Sequence, residues 1–320
     1  MPPDALNELL RDKLVFVTGK GGTGKTTAAA AIARVLAARG RKTLLCEVDA
    51  QRPALEPIFG VNPGMEPIRV LPDLDVCNLV WPDVLGTYLR RMVRIGWVVD
   101  GILGNELIRR FLDFVPGAQD LVEVSAIDDW CQKYDAVVVD MPASGHAFSL
   151  LDITRSALKL FRAGPVRQRA TELRARIADP TSTIVLVALP EEMVVNETLE
   201  TLARLREAKL VGGVPIVVLN RAVPTTWTAE EGLLLDRLSE TAAPADDALL
   251  AAGRWRRAGE QATLEADARL HEALGVAPLH VPVLHATGNP AAAGPRAAAA
   301  AMARHLGALA GIPDQVLAWT

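Results

Sequence analysis

The sequence predicts an α/β fold: a doubly wound, mostly parallel sheet with helices on both faces, plus a helical subdomain. Short β-branched runs alternate with helical patterns along the chain, which is typical of parallel strands connected by helices. The chain has 320 residues, of which 50% are hydrophobic and 22% charged. It can therefore bury a large core, as an ordinary globular protein does. In such a sheet, ligands bind at the carboxyl ends of the strands.

The first unit consists of a strand at residues 14–17, a glycine-rich turn and an alanine-rich helix at residues 25–39. Gly40 follows this helix in the position of a C-cap. Six further strands are short apolar runs, which we expect at residues 43–48, 75–80, 136–140, 183–189, 215–219 and 280–284. The helices between them include residues 192–208 and a last helix at residues 297–309.

Two segments interrupt the alternation of strands and helices. Residues 84–115 are helical in period and rich in large apolar side chains, and residues 225–275 are helical, charged and alanine-rich. We therefore expect a single domain over residues 1–320, with a helical subdomain inserted at 84–130 and a helical decoration at 225–275.

Composition excludes several classes of protein. The formal net charge is −4 and the isoelectric point about 5.8, so no nucleic-acid partner is expected. The first residues show no export signal, and no uninterrupted apolar run is long enough to span a membrane. Three scattered cysteines fit a reducing compartment better than a disulfide framework. We expect a cytoplasmic protein.

Residues 19–26 read Gly-Lys-Gly-Gly-Thr-Gly-Lys-Thr and lie between the first strand and the first helix. In this setting the pattern G-x-x-x-x-G-K-[ST] forms a phosphate-binding loop (P-loop), whose backbone amides surround nucleotide phosphates at a helix N-terminus. Lys25 would reach the β- and γ-phosphates, and the Thr26 hydroxyl would bind Mg²⁺. The expected ATP-binding residues of this loop are Gly19, Gly21, Gly22, Thr23, Gly24, Lys25, Thr26 and Thr27.

A rival pattern overlaps the same loop. Gly19, Gly21 and Gly24 form G-x-G-x-x-G, and Glu47 and Asp49 lie about twenty residues further on, as a dinucleotide-binding fold requires. The Lys-Thr pair that opens the helix favours the triphosphate, because a dinucleotide has no need of it.

Two acidic residues end apolar strands near this loop. Asp140 ends the run at 136–139, and Asp49 follows the run at 44–48. A triphosphatase needs an acid to hold Mg²⁺ and another to orient the attacking water, and these two are placed to do so. Gly145 follows Asp140 by five residues and could offer its N–H to the γ-phosphate, with His146 next to it.

The loop resembles the deviant phosphate loop of dimeric ATPases, because Lys20 directly follows the first glycine. Among these, the chain resembles the arsenical-pump and tail-anchored-protein targeting ATPases. Residues 140–146 (Asp-Met-Pro-Ala-Ser-Gly-His) are similar to their Asp-x-x-x-Thr-Gly-His switch. Residues 189–200 and 217–221 are similar to their Pro-Glu…Glu-Thr helix start and Val-Val-Asn strand end. The similarity is thin at 84–115 and 225–275.

The resemblance implies a role for several residues. Lys20 would reach across a dimer interface to the partner's phosphates, and Asp49 would orient the attacking water. Asp140 would bind Mg²⁺ through water, Gly145 would sense the γ-phosphate, and Asn220 would recognise adenine. Lys20, Lys25 and Asp49 are thus the catalytic candidates, and Thr26 and Asp140 are the metal ligands.

Two positions depart from the family's pattern. Ala50 follows Asp49 where the family usually has proline, and Met141 follows Asp140 where it usually has threonine. Both departures bear on hydrolysis more than on nucleotide binding.

The cysteines argue against a metalloid-activated or zinc-bound branch of the family. Such sites need clustered thiolates, whereas Cys46, Cys77 and Cys131 form no sequence pair. Buried, inert thiols are the expectation.

The resemblance also implies a client surface. Large apolar residues recur at helical spacing over 84–115, and they either pack a core of their own or form a groove for a partner's helix. The overall hypothesis is a homodimeric, Mg²⁺-dependent ATPase, whose partners are a second copy or a paralogue and the hydrophobic helix of a membrane-protein client. Two alternatives stay open: a positioning ATPase like MinD and ParA, and a nucleotide-gated scaffold with weak hydrolysis.

Overall fold

An eight-stranded sheet forms the centre of the chain in the computed structural model. The structure describes residues 4–48, 53–80, 84–85, 117–241, 247–283 and 294–319. The strands are β1 Leu14–Gly19, β2 Thr43–Val48, β3 Ile68–Leu71, β4 Leu74–Leu79, β5 Ala136–Asp140, β6 Ser182–Ala188, β7 Ile216–Ala222 and β8 Leu279–Pro282. Their spatial order is β3-β4-β2-β5-β1-β6-β7-β8. All neighbouring strands run parallel except β3 and β4.

Helices cover both faces of this sheet, as the sequence predicts. They are α1 Asp4–Leu9, α2 Lys25–Ala38, α3 Glu56–Phe59, α4 Ala118–Cys131, α5 Ser144–Leu160, α6 Pro165–Ile177, α7 Glu192–Ala208, α8 Ala229–Thr241, α9 Asp247–Leu274 and α10 Pro295–Leu309. One core lies between the sheet and α4 to α7, and the other between the sheet and α1, α2 and α10. The doubly wound α/β fold is therefore confirmed.

Small side chains let α2 lie close to the sheet. Residues 28–31 are four consecutive alanines, each at most 1% exposed. Alanine also has the highest helix propensity, so the same residues favour the helix and its close packing. Helix α2 ends before Gly40, which has a φ of +75°, as expected for a C-cap glycine. This packing fixes the N-terminus of α2 against the end of β1.

The sequence missed the antiparallel edge strand β3. Ile68 and Arg69 are exposed, so β3 lacks the apolar run that marks the buried strands. It pairs with β4 through a tight turn in which Asp73 has a φ of +57°.

Strands β2 and β5 have the predicted bounds, and the ends of the other predicted strands differ by up to three residues. The largest shift is at β7, which continues past Leu219 through Asn220 to Ala222.

The two interrupting segments differ in what can be described. Helices α8 and α9 occupy the segment between β7 and β8, where the sequence predicts a helical decoration. Of the expected subdomain at 84–130, α4 and residues 84–85 are described, whereas residues 86–116 lie outside the described residues. The client groove expected there thus remains a prediction.

Candidate functional site

The loop between β1 and α2 has a backbone that requires glycine at two positions. Gly19 has a φ of +148°, and a Cβ atom there would lie 2.3 Å from the carbonyl oxygen of Val187. Gly24 is the N-cap of α2 with a φ of +93°, and a Cβ atom there would lie 2.7 Å from Nδ2 of Asn220. Any side chain would collide at both places. The loop can therefore bring its amides close to a ligand at the N-terminus of α2.

Both lysines of the loop are held in place by contacts within the chain. Lys25 Nζ donates to the carbonyl oxygen of Lys20 at 3.2 Å. The Thr23 hydroxyl donates to the same oxygen at 2.9 Å. Lys20 Nζ lies 3.7 Å from Oε2 of Glu197 in α7. Burial lowers the pKa of Lys25, while the carboxylates of Asp140 and Glu197 act in the opposite direction.

A cavity of about 530 Å³ lies beside the loop, at the carboxyl ends of β2 and β5 and the N-terminus of α5. Its size is that of a small-molecule site. The lining residues are Lys25, Thr26, Glu47, Val48, Asp140, Met141, Pro142, Ala143, Gly145 and His146. The cavity thus gathers, from distant parts of the chain, the loop residues and one of the two predicted acids.

Asp140 lies deep in this cavity, with 5% of the residue exposed. Thr26 lines the same cavity, and Oδ1 of Asp140 has no hydrogen-bond partner among the residues described. Burial raises the pKa of Asp140 to about 6, against the opposing effects of Thr26 and Lys25. A buried carboxylate beside a threonine hydroxyl is a hard oxygen donor set of the kind that Mg²⁺ prefers. The residues present therefore fit the cation implied by the loop.

Glu47 is an acidic residue of the cavity that sequence reasoning treated only as part of the rival dinucleotide pattern. It is 4% exposed and lies opposite Asp140 in the parallel register of β2 and β5. Burial raises its pKa to about 7, and the charge of Asp140 adds to that effect, whereas amides at Ala54 and Leu55 oppose it. The sequence contains a signal for this placement. Glu47 comes two residues before Asp49, and alternate residues of a strand face the same side.

Asp49, the acid predicted to be catalytic, lies outside the described residues. Its neighbour Val48 ends β2 and lines the cavity. The described chain resumes at Pro53 and leads into α3. The roles expected of Asp49 and of the departure at Ala50 remain predictions.

The predicted switch after Asp140 forms the start of α5. Gly145 and His146 lie in the first turn of this helix, and the His146 amide donates to the carbonyl oxygen of Ala143 at 3.0 Å. The segment before it is tied to β1, because the Thr18 hydroxyl donates to the Pro142 carbonyl oxygen at 2.7 Å. His146 Nε2 is 3.9 Å from Oδ1 of Asp120. The first turn of α5 and the start of α2 thus contribute residues to the same cavity.

Asn220 supports the loop directly. Its Nδ2 donates to the carbonyl oxygen of Thr23 at 2.8 Å, and its Oδ1 accepts from the amide of Arg221 at 2.9 Å. Arg221 has a φ of +57° at an irregularity in the β7–β8 register. Asn220 therefore links the end of β7 to the glycine loop. Its expected role in adenine recognition stays a prediction.

The three cysteines are reduced and buried. Cys46 and Cys77, which form no pair in the sequence, lie opposite each other in β2 and β4. Burial raises the pKa of Cys46 and that of Cys131. Within the described ranges, no group of three or more His, Cys, Asp or Glu side chains could hold a metal ion. Nor does any described helix have the length and hydropathy needed to span a membrane.

The chain is similar in sequence to a family of ATPases and to individual ATPases of other organisms. Residues 12–163 match the profile of the anion-transporting ATPase family. ATPase BagA of Mycobacterium tuberculosis is 32% identical over 236 residues, which cover 66% of this chain and 66% of BagA. ATPase ASNA1 homolog 2 of Paramecium tetraurelia is 27% identical over 149 residues, which cover 44% of this chain and 43% of that relative. The matched region contains the glycine loop, both expected acids and Gly145.

Proposed function

The chain belongs to the anion-transporting ATPase family through an ATP hydrolase domain at residues 12–163, and on that premise we propose a Mg²⁺-dependent ATPase whose nucleotide state gates dimer closure and binding of a protein client. The proposal rests on one observation. The Lys25 and Thr26 side chains line one cavity with the buried carboxylate of Asp140, at the N-terminus of α2. A phosphate chain and a divalent cation need this combination of donors.

Nucleotide binding follows from the loop. The amides of the glycine loop and the N-terminus of α2 attract phosphate oxygens. Lys25 exchanges its bond to the Lys20 carbonyl oxygen for phosphate oxygens, which are stronger acceptors. Thr26 and Asp140 would hold Mg²⁺, which neutralises charge on the phosphates when it is bound.

Hydrolysis requires two groups besides the glycine loop. Asp49 orients a water molecule toward the γ-phosphate, and the Gly145 amide at the start of α5 contacts the same phosphate. Loss of that phosphate then releases α5, which is the kind of order change that nucleotide switches use. The tie between Thr18 and Pro142 limits the movement to residues after 142.

Dimer closure and client binding rest on the family and on two features of the chain. Lys20 directly follows the first glycine of the loop and has 35% of its side chain exposed, so it can turn toward the phosphates of a second copy. The proposed client is a hydrophobic helix of a membrane protein, accepted by the segment at 84–130. A cytoplasmic location belongs to this proposal.

ATP turnover with and without Mg²⁺ tests the proposal. We expect turnover that needs Mg²⁺ and that Lys25→Ala lowers about 100-fold or more, the loss typical of removing one group that stabilises transition-state charge. Lys159→Ala removes a lysine near the end of α5, outside the residues that line the cavity, and should leave turnover unchanged. Turnover without Mg²⁺, or equal turnover in wild type and Lys25→Ala, would count against the proposal.

A further inference from the structure

Glu47 presents the two oxygens of its carboxylate to different surroundings. Oε1 accepts a hydrogen bond from the amide of Ala54 at 2.8 Å. Oε2 is buried and has no hydrogen-bond partner in the part of the chain that the structure describes. The residue also lines the cavity that holds Lys25 and Asp140. One oxygen therefore holds the chain after residue 52, and the other is left for a ligand.

A purely structural clamp would not need the second oxygen in this position. Leaving a buried acceptor unsatisfied costs about 1–3 kcal/mol, and more for a charged group. Asp140 faces Glu47 in the register of the neighbouring strand, and its Oδ1 is likewise unpartnered among the described residues. Two acids with one unpartnered oxygen each, in one cavity, repel each other unless a cation or a proton lies between them.

The lysine of the cavity acts on Asp140 by its charge, but its hydrogen bond goes to a backbone oxygen. Lys25 is the lysine that lines the cavity, and its Nζ donates to the Lys20 carbonyl oxygen. Once nucleotide is bound, the proposed function directs Lys25 to the phosphates. A small divalent cation has the charge and the oxygen preference that the two acids require.

We propose that Glu47 gives its free carboxylate oxygen to the divalent-cation site of Thr26 and Asp140, directly or through a water molecule. This deepens the proposed function and rests on it. Because Oε1 of the same side chain holds the amide of Ala54, the cation site and the segment leading to α3 share one rigid group. Metal occupancy thereby bears on the position of Ala54 and of the segment that leads to α3.

Manganese binding tests the assignment without measuring activity. Protein saturated with a non-hydrolysable ATP analogue is titrated with Mn²⁺, and free Mn²⁺ is followed by electron paramagnetic resonance. Glu47→Gln keeps the shape and an oxygen for the Ala54 amide, but removes the charge. We expect it to weaken Mn²⁺ affinity about 10–100-fold, the usual loss for a group that supports a metal site. Affinity for the analogue in EDTA should not change.

The chain offers a matched control. Glu260 in α9 is also 4% exposed, and its carboxylate accepts hydrogen bonds from Thr226 outside the cavity. Glu260→Gln should bind Mn²⁺ as the wild type does. Glu47→Asp keeps the charge on a shorter side chain and should give an intermediate affinity, which preserves the test if the glutamine variant does not fold.

The outcomes separate this inference from the proposed function. Wild-type protein that binds no analogue would overturn both. Wild-type protein that binds analogue and Mn²⁺, with equal Mn²⁺ affinity in Glu47→Gln, would overturn only the role of Glu47.

Discussion

At the scale of single residues, the site is built from groups that are unfavourable for stability. Asp140 and Glu47 are carboxylates buried beside each other, and Gly19 has a backbone that other residues rarely adopt. Buried acids without full pairing destabilise the free protein, because the charged form loses its hydration. A bound cation and nucleotide would compensate for this cost, since ligands that bind only the folded state stabilise it.

Asp12, a buried acid outside the site, makes the stability of the folded protein depend on pH. Burial and the charge of Glu8 raise the pKa of Asp12 to about 7, and Arg41 opposes both. Since the folded-state pKa exceeds the unfolded value, the stability that protonated Asp12 contributes is complete below about pH 4. It is lost as pH rises through about 7. The folded protein is therefore penalised at pH 8.

We accordingly expect Asp12→Asn to melt higher than the wild type at pH 8. The gain should be roughly 1–2 °C, because about 1 kcal/mol is divided by an unfolding entropy of about 2 cal/mol/K per residue over the whole chain. It should shrink toward pH 4. Asp179→Asn is a control with the opposite expected sign. Hydrogen bonds from Thr181 lower the pKa of Asp179, so its replacement should lower the melting temperature at pH 8. A gain for Asp12→Asn that is equal at both pH values would show that its charge is not the cause.

At the scale of elements, buried strands and long helices follow from the sequence. Strand β5 and helix α7 have the predicted bounds, because an apolar β-branched run and a strong helical period leave little choice. The exposed strand β3 could not be predicted in this way, since pairing to β4 determines it more than its own pattern does. Turns after strands are set by the same tertiary pairing.

Site residues that belong to one sequence motif could be predicted. Contacts between residues that are distant in the sequence could not. The glycine loop and Asp140 come from spacing alone, and the cavity brings them together. Glu47 lies opposite Asp140, and Cys46 lies opposite Cys77. Predicting either pair requires the register of the sheet, which the sequence alone does not specify. The bond from Asn220 to the Thr23 carbonyl oxygen joins residues that are 197 positions apart, beyond any local pattern.

At the scale of the whole molecule, the Lys20–Glu197 ion pair bears on assembly. Its side chains are 35% and 37% exposed, and exposed pairs contribute only about 0–1 kcal/mol. Lys20 can therefore leave Glu197 at low cost when phosphates of a second copy approach.

Sedimentation velocity with a non-hydrolysable ATP analogue and Mg²⁺ checks this role. We expect the wild type to shift from monomer to dimer, and Lys20→Ala to stay monomeric while it still binds the analogue. Lys133→Ala removes an exposed lysine outside the residues that line the cavity and should dimerise normally. Equal dimerisation of wild type and Lys20→Ala would remove Lys20 from the interface.

Calorimetric titration of the protein with Mg²⁺ and ATP tests most directly whether the loop after β1 holds the phosphates of a nucleotide. We expect saturable binding with one ATP per chain. Lys25→Ala should weaken it about 10–100-fold, because a hydrogen bond to a charged group contributes about 1.5–3 kcal/mol. The absence of binding heat in the folded wild type, or an affinity that Lys25→Ala leaves unchanged, would contradict the account.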